Sequence, residues 1–465
     1  MLDKQITYNT IISAGARIIG LALSLITIGF ITRYLGQEGF GYYATILAFL
    51  FFFTVLADLG LYSICLREIS RPQADQSKIA SNAFTLRFVA GFFIFALAPL
   101  VGSFFPYPIE VKWGILIGAI GFWLMSNQQV LVGVFQKYLR VDKVALAELL
   151  GRLFQLGLIV FFIERGFNFL FIVSAVVGGS LTNFLLVFWF SQKYVPISFQ
   201  FDFAFWKELL KESLPLALAI VFTMIYFKID TIMLSLMRPV ADVGIYNLAY
   251  KFLESLLFFP VMFVGLVMPL MSKYAFSAKE KFKEITQKTL DILLIFIIPM
   301  IIGTLFLSQK IVVLIAGQDF ILSAGVLNVL IVATGAIFLG VLFSNMLIAL
   351  GKQKILVYIY GAGVIVNLGT NLIAIPRYSY YGAAGTTLIT ELLVTSLMIF
   401  VLYRSLKETP SFRPIFKCLL AGLVMALLLY FLPDWNLFVL VFSGSLIYFS
   451  FLYLINGISR QQLYG

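Results

Sequence analysis

The chain has no histidine and only two cysteines, Cys65 and Cys418, in 465 residues. Two cysteines build no disulfide framework. Without histidine the commonest metal ligand and the usual general base are missing, so zinc, haem and Ser-His-Asp chemistry fall away and no metal site is expected. Charge is scarce too: Asp, Glu, Lys and Arg make up 12% of the residues, about half the share in a soluble domain. No G-x-x-x-x-G-K-[ST] loop occurs, since GKQK lacks the preceding glycine, so the chain does not itself burn a nucleotide.

What is present is apolar surface. Hydrophobic residues make up 61% of the chain and the mean hydropathy is +1.01. They lie in blocks of about 20 residues, the length that crosses about 30 Å of hydrocarbon. Fourteen such stretches follow one another, at 10–33, 40–65, 79–104, 113–135, 144–163, 167–190, 213–237, 243–271, 287–307, 321–350, 355–375, 381–403, 415–432 and 436–456. The fold class is therefore an all-α polytopic membrane protein. The first stretch is too long for a signal-peptide core and is expected to stay in the membrane.

An even number of spans puts both termini on one side. Lys4, Arg67, Arg71, Lys137, Arg140, Lys193, Lys207, Lys279, Lys283, Lys352, Arg404 and most other loop cations share that side. Only Arg33, Lys112, Arg165, Arg238, Lys310 and Arg377 face the other. The positive-inside rule makes the cation-rich side, and both termini, cytoplasmic, in the cell inner membrane. The net charge of +11 is then topology and contact with anionic membrane lipids, not a nucleic-acid footprint. The opposite loops are short, and none carries a catalytic pair of acids, so the chain does not read as an enzyme.

An internal repeat is visible. RYLGQEGFGYYATILAF after span 1 has a counterpart in LMRPVADVGIYNLAYKF after span 7, with Gly41 and Tyr43 matched by Gly244 and Tyr246, 203 residues on. A second pair enters spans 5 and 11. Two six-span units in the same orientation fit this spacing: 1–198, then 199–410 with an interfacial linker at 199–212, with spans 13 and 14 appended over 411–465. The linker, FQFDFAFWKELLKES, begins with alternating phenylalanines and turns helical, and reads as a hinge on the cytoplasmic surface.

The runs RYLGQEGFGYYATILAF, ADLGL, LREISR and YGAAGTTL resemble the polysaccharide transporter family, the O-antigen and capsule repeat-unit flippases of the multidrug/oligosaccharidyl-lipid/polysaccharide exporter superfamily. The resemblance implies a V-shaped pair of six-helix lobes. It also implies alternating access for an undecaprenyl-pyrophosphate-linked oligosaccharide, no cofactor, and polymerase and chain-length regulator partners. Two neighbouring readings in the superfamily are a flippase for lipid-linked peptidoglycan precursors and an ion-coupled multidrug antiporter.

The residues add an independent reading. Thr10, Ser13, Arg17, Gly20, Ser24 and Thr27 form one polar stripe on span 1. A charge within a span costs a few kcal/mol, so Arg17 is expected to face a wet cavity, where its planar fork suits a phosphate. Arg87 and Lys228 likewise lack a partner on their own helix and, with Arg17 and Lys251, are the expected head-group contacts. Thr231, Asn247, Tyr250, Asn367 and Asn371 join Ser13, Ser24 and Thr27 as expected cavity lining. Glu148 with Arg152, and Lys251 with Glu254, stand at i,i+4 and i,i+3, spacing at which each pair neutralises itself; the first is read as a structural ion pair. Asp58 and Glu391 have no cation within a helical turn and are the candidates for a coupling H+ or Na+.

Overall fold

The computed structural model describes residues 2–58, 60–71, 73–407 and 410–457, side chains at 2–14, 63 and 212–226 excepted. In hydrocarbon every backbone N–H and C=O must be satisfied within the segment, and helix does that. Fourteen helices follow: α1 (Leu2–Asp58), α2 (Leu61–Ile69), α3 (Gln76–Ser103), α4 (Ile109–Lys137), α5 (Val141–Glu164), α6 (Phe169–Ser191), α7 (Phe203–Met237), α8 (Val240–Leu256), α9 (Phe258–Tyr274), α10 (Lys279–Ala316), α11 (Leu322–Ala349), α12 (Gln353–Leu406), α13 (Pro414–Phe431) and α14 (Leu437–Leu454). No strand occurs among the described residues. Side chains cap several helix starts: Asp75 accepts from the Lys78 N–H at 2.9 Å, Asn168 from Leu170 at 3.1 Å and Asn436 from Phe438 at 2.9 Å.

Eleven segments among the described residues are long and apolar enough to cross a bilayer. Two of them are too long to be single spans. At 1.5 Å per residue the 57 residues of α1 and the 54 of α12 would each run to about 80 Å or more. Each is divided by one non-helical residue in the left-handed region, Gly36 at φ 64° and Ser379 at φ 50°. Counting these two as pairs, and adding α7, returns the fourteen stretches of the hydropathy reading. The eighth stretch is α8 followed by α9, parted at Leu257; Pro260 has no N–H to give the Leu256 carbonyl.

The repeat is legible in the backbone. Gly36 corresponds to Pro239, and the chain breaks at both, within α1 and between α7 and α8. The corresponding segments also touch one another. A Cβ on Gly41 would lie 2.0 Å from the carbonyl oxygen of Val240, and one on Gly244 would lie 2.2 Å from that of Gln37. Since Gln37 corresponds to Val240 as Gly41 does to Gly244, the contact is reciprocal: each copy's glycine lies against the other's backbone.

Contacts divide the chain into two compact units, Met1–Gly244 and Ile245–Gly465. In the first, α4 packs against α3 and α6, α5 against α6, and α1 against α4 and α5; α7 lies on α1, α2 and α3, beyond the expected boundary at 198. Phe84, Phe135, Leu131 and Val134 are in its buried core. In the second, α11 packs against α10 and α12, and α13 joins α10 to α14 around Phe338, Leu342 and Phe343.

The linker is not loose. Residues 196–202 lie along α3, whose Ser77, Ser81 and Thr85 recur every four residues and so share one face. The Ser77 hydroxyl donates to the Pro196 carbonyl at 2.6 Å, the Ser198 N–H to Ser81 Oγ at 3.1 Å and the Gln200 N–H to Thr85 Oγ1 at 3.0 Å. Asn82 Oδ1 accepts from the Asp202 N–H at 3.0 Å and from Trp206 Nε1 at 3.1 Å, while its Nδ2 donates to Gln200 Oε1 at 3.1 Å. Phe199 packs on Phe84 and Phe88, and Lys78 pairs with Asp202 at 2.9 Å. The linker expected at 199–212 thus begins as a strap bonded to α3.

Candidate functional site

In the first unit the polar stripe of α1 meets α5. Gly20 is buried against it: a Cβ there would lie 3.5 Å from Arg152 Nε and 4.0 Å from Leu149 Cδ2. Arg17, one turn earlier on the same face, is exposed. Arg152 donates from Nε at 3.1 Å and from Nη2 at 2.8 Å to one oxygen of Glu148, Oε1. The two side chains are 38% and 43% exposed. Arg152 stands eleven residues into α5, about 17 Å along its axis. Charged groups this open at that depth would cost several kcal/mol against lipid tails, so the pair suits a water-filled cavity. Ser24 and Thr27 are half-buried, and the Thr27 hydroxyl donates to the Leu23 carbonyl at 2.7 Å, its own helix taking up the donor. Ser13 and Thr10 lie outside the described side chains.

Lys228 is half-buried on α7, its Nζ 5.7 Å from the centre of the Phe51 ring on α1. Nearby on the chain, Asp230 and Thr231 are buried.

Arg87 and Asp58 lie together. They were expected to act separately, as a head-group contact and an ion-coupling acid, yet they meet. Arg87 is 0% exposed, and its Nη1 donates to Asp58 Oδ1. Its Nε donates to Ser126 Oγ at 3.2 Å and its Nη2 to Gln129 Oε1 at 2.9 Å, so all three nitrogens are engaged. The pairing joins α3 to the end of α1, 29 residues apart, where helical spacing gives no sign of it. Asp58 ends α1, and Gly60 takes the left-handed φ of 73° before α2. The ADLGL run is thus a break in span 2 with a buried guanidinium tied to its acid.

In the second unit Lys251 Nζ donates to Glu254 Oε2 at 2.6 Å, both about a third exposed. Asn247, Tyr250, Asn367 and Asn371, expected as cavity lining, are all buried, as Thr231 is. Asn371 Nδ2 donates to Asn367 Oδ1 at 3.0 Å, and the Tyr246 and Thr387 hydroxyls lie 3.2 Å apart. Asn367 and Asn371 thus bond one another along α12, and Thr231, Asn247 and Tyr250 are buried among the helices. Glu391 is buried on α12, near Tyr360.

Residues 6–275 match the family described as polysaccharide biosynthesis protein, and residues 215–373 match MatE. The chain is 25% identical to a candidate O-antigen transporter of Shigella dysenteriae over 390 residues, 79% of this chain and 92% of that one. It is 21% identical to Agl15 of Haloferax volcanii, a candidate low-salt glycan biosynthesis flippase, over 93% of this chain and 92% of the relative. Among solved structures, the lipid II flippase MurJ in an inward closed conformation superposes with a TM-score of 0.78 at 18% identity, over 96% of this chain and 98% of the other. The shared fold is that of an all-helical transporter, and with more than half of its length matched the chain belongs to the polysaccharide biosynthesis protein family.

Proposed function

We propose that the chain is a flippase, not an enzyme. It carries undecaprenyl-pyrophosphate-linked oligosaccharide repeat units across the cytoplasmic membrane for O-antigen, capsule or exopolysaccharide synthesis. The observation that carries this reading is the exposed Arg17 on α1, near the half-buried Arg152 and Glu148 of α5, within a membrane-spanning layer. A guanidinium in that setting suits a diphosphate, whose oxygens match its fork. Lys228 and Lys251 are the further cations of the head-group set, and Arg87 leaves it because Asp58 already holds it. Transport exposes these spans to one side of the membrane and then the other, with the polyprenyl tail remaining in the bilayer so that only charge and sugars need shelter. Buried Glu391 is the remaining candidate for a coupling H+ or Na+. The names of the relatives in Shigella and Haloferax support a glycan cargo.

A flipping assay in proteoliposomes tests the reading, with undecaprenyl-pyrophosphate-linked repeat unit as substrate and leaflet position read by a membrane-impermeant lectin. Arg17→Ala at normal folded yield should abolish flipping, and Arg17→Lys should retain part of it, since charge survives but the fork does not. Normal flipping by Arg17→Ala overturns the assignment. The second reading, a peptidoglycan-precursor flippase, is favoured by the likeness to MurJ over 96% of the chain. Lipid II in the same liposomes decides between the two.

A further inference from the structure

The sequence reads Arg152 as one half of a self-neutralised structural pair. Its geometry points to a different role: Arg152 is a second pyrophosphate contact, and Glu148 is the acid that holds it while the site is empty. The inference rests on the proposed function and names a residue that function does not assign. Three observations carry it. First, Glu148 uses a single oxygen, Oε1, for both bonds, so the fork is not matched to the carboxylate and Arg152 Nη1 has no bonding partner among the described residues. A guanidinium committed to structure is normally saturated, as Arg87 is by Asp58, Ser126 and Gln129. Second, the pair is more than a third exposed at span depth, whereas a packing pair excludes water to gain its strength. Third, Gly20 gives Arg152 its place: with no side chain there, the arginine lies against α1 one turn from Arg17. Two guanidiniums on adjoining helices then offer one fork to each phosphate of a diphosphate, and Glu148 yields Arg152 to the stronger, doubly charged acceptor.

The test is binding of undecaprenyl pyrophosphate to the purified full-length protein in nanodiscs, with undecaprenol as the uncharged probe and folded yield checked by size exclusion. Arg152→Gln should weaken undecaprenyl pyrophosphate about tenfold or more while leaving undecaprenol unchanged. Glu148→Gln, which removes the competing acid, should bind the pyrophosphate at least as tightly as the native chain. Unchanged affinity in Arg152→Gln overturns the inference. So does Glu148→Gln weakening binding as Arg152→Gln does, because a purely structural pair suffers equally from either loss. If Arg152→Gln does not fold, Arg152→Lys takes its place and should fall between native and tenfold weaker; native affinity there overturns the inference too. A native protein that binds the two lipids equally would instead overturn the proposed function, so the two failures are distinct.

Discussion

Arg87 is the largest fully buried side chain among the described residues, and its position follows from the cost of leaving a guanidinium unpaired in hydrocarbon. Asp58→Asn removes the formal negative charge bonded to it and should destabilise the protein by about 3–5 kcal/mol, the range for breaking one side of a buried pair. Asp58→Leu with Arg87→Met should recover much of that, because an apolar pair leaves nothing unsatisfied. Thermal melting in detergent, followed by intrinsic tryptophan fluorescence, checks both; equal stability in Asp58→Asn and the native chain would contradict the account. The two residues show the limit of reading charge along a chain. Glu148 with Arg152 and Lys251 with Glu254 could be paired from spacing because each shares a helix. Asp58 with Arg87 could not, because only the packing of α3 against α1 brings them together.

The strap shows an element whose composition was legible and whose partner was not. Alternating phenylalanines marked residues 199–205 as interfacial, and the Ser77, Ser81, Thr85 row gave α3 a polar edge, but nothing in either segment named the other. Asn82→Ala should leave the Asp202 N–H and the Trp206 indole without their acceptor, at about 1–3 kcal/mol for each donor left buried. Hydrogen exchange over 198–206 should then rise, with the rest of α3 unaffected. The same segment should respond to pH through its surface pair. The Phe205 N–H and then Lys78 hold the Asp202 carboxyl below its usual range, and the hydrogen bond to Asp202 raises Lys78. The depressed acid contributes above its ordinary value of 3.8 and is lost as pH falls through the lowered one. The raised lysine contributes below 10.5 and is lost as pH climbs through its own value. Protection in the strap, the exchange rate taken relative to the intrinsic rate at each pH, should therefore be greatest between those limits and fall on both sides; a flat protection profile would show that the pair adds nothing.

At the scale of the whole chain, hydropathy placed the spans because the bilayer imposes one length on all of them. It placed the breaks at Gly36 and Ser379, which fall between stretches, but not the one before Pro260, which falls inside the eighth. Nor could it show that α7 packs with the spans before it, since that choice is made by side chains distant in sequence. The repeat was visible as matched glycines, but their purpose became visible only in the contact they make. Gly41→Ala or Gly244→Ala drives a methyl into a backbone carbonyl that cannot rotate away, so either should cut folded yield severely. Gly157→Ala, on α5 with no atom within 4 Å of the added carbon, should be neutral or gain a few tenths of a kcal/mol from helix propensity. Fluorescence-detected size exclusion of the three variants separates them, and equal yields would contradict the close crossing.

That crossing has the symmetry of a twofold interface. When residue i of one copy touches residue j of the other, and j of the first touches i of the second, the interface is isologous, the form taken by two identical chains around a twofold axis. Gln37 and Gly41 against Val240 and Gly244 have this form although one polypeptide now supplies both sides. The two repeats meet here as two identical subunits would. Most of the matched positions around it carry different side chains in the two repeats, but a backbone-to-backbone crossing leaves no side chain with which to compensate. Each glycine is therefore held in place by the main chain of its sister copy, and neither can be released by any change at the other.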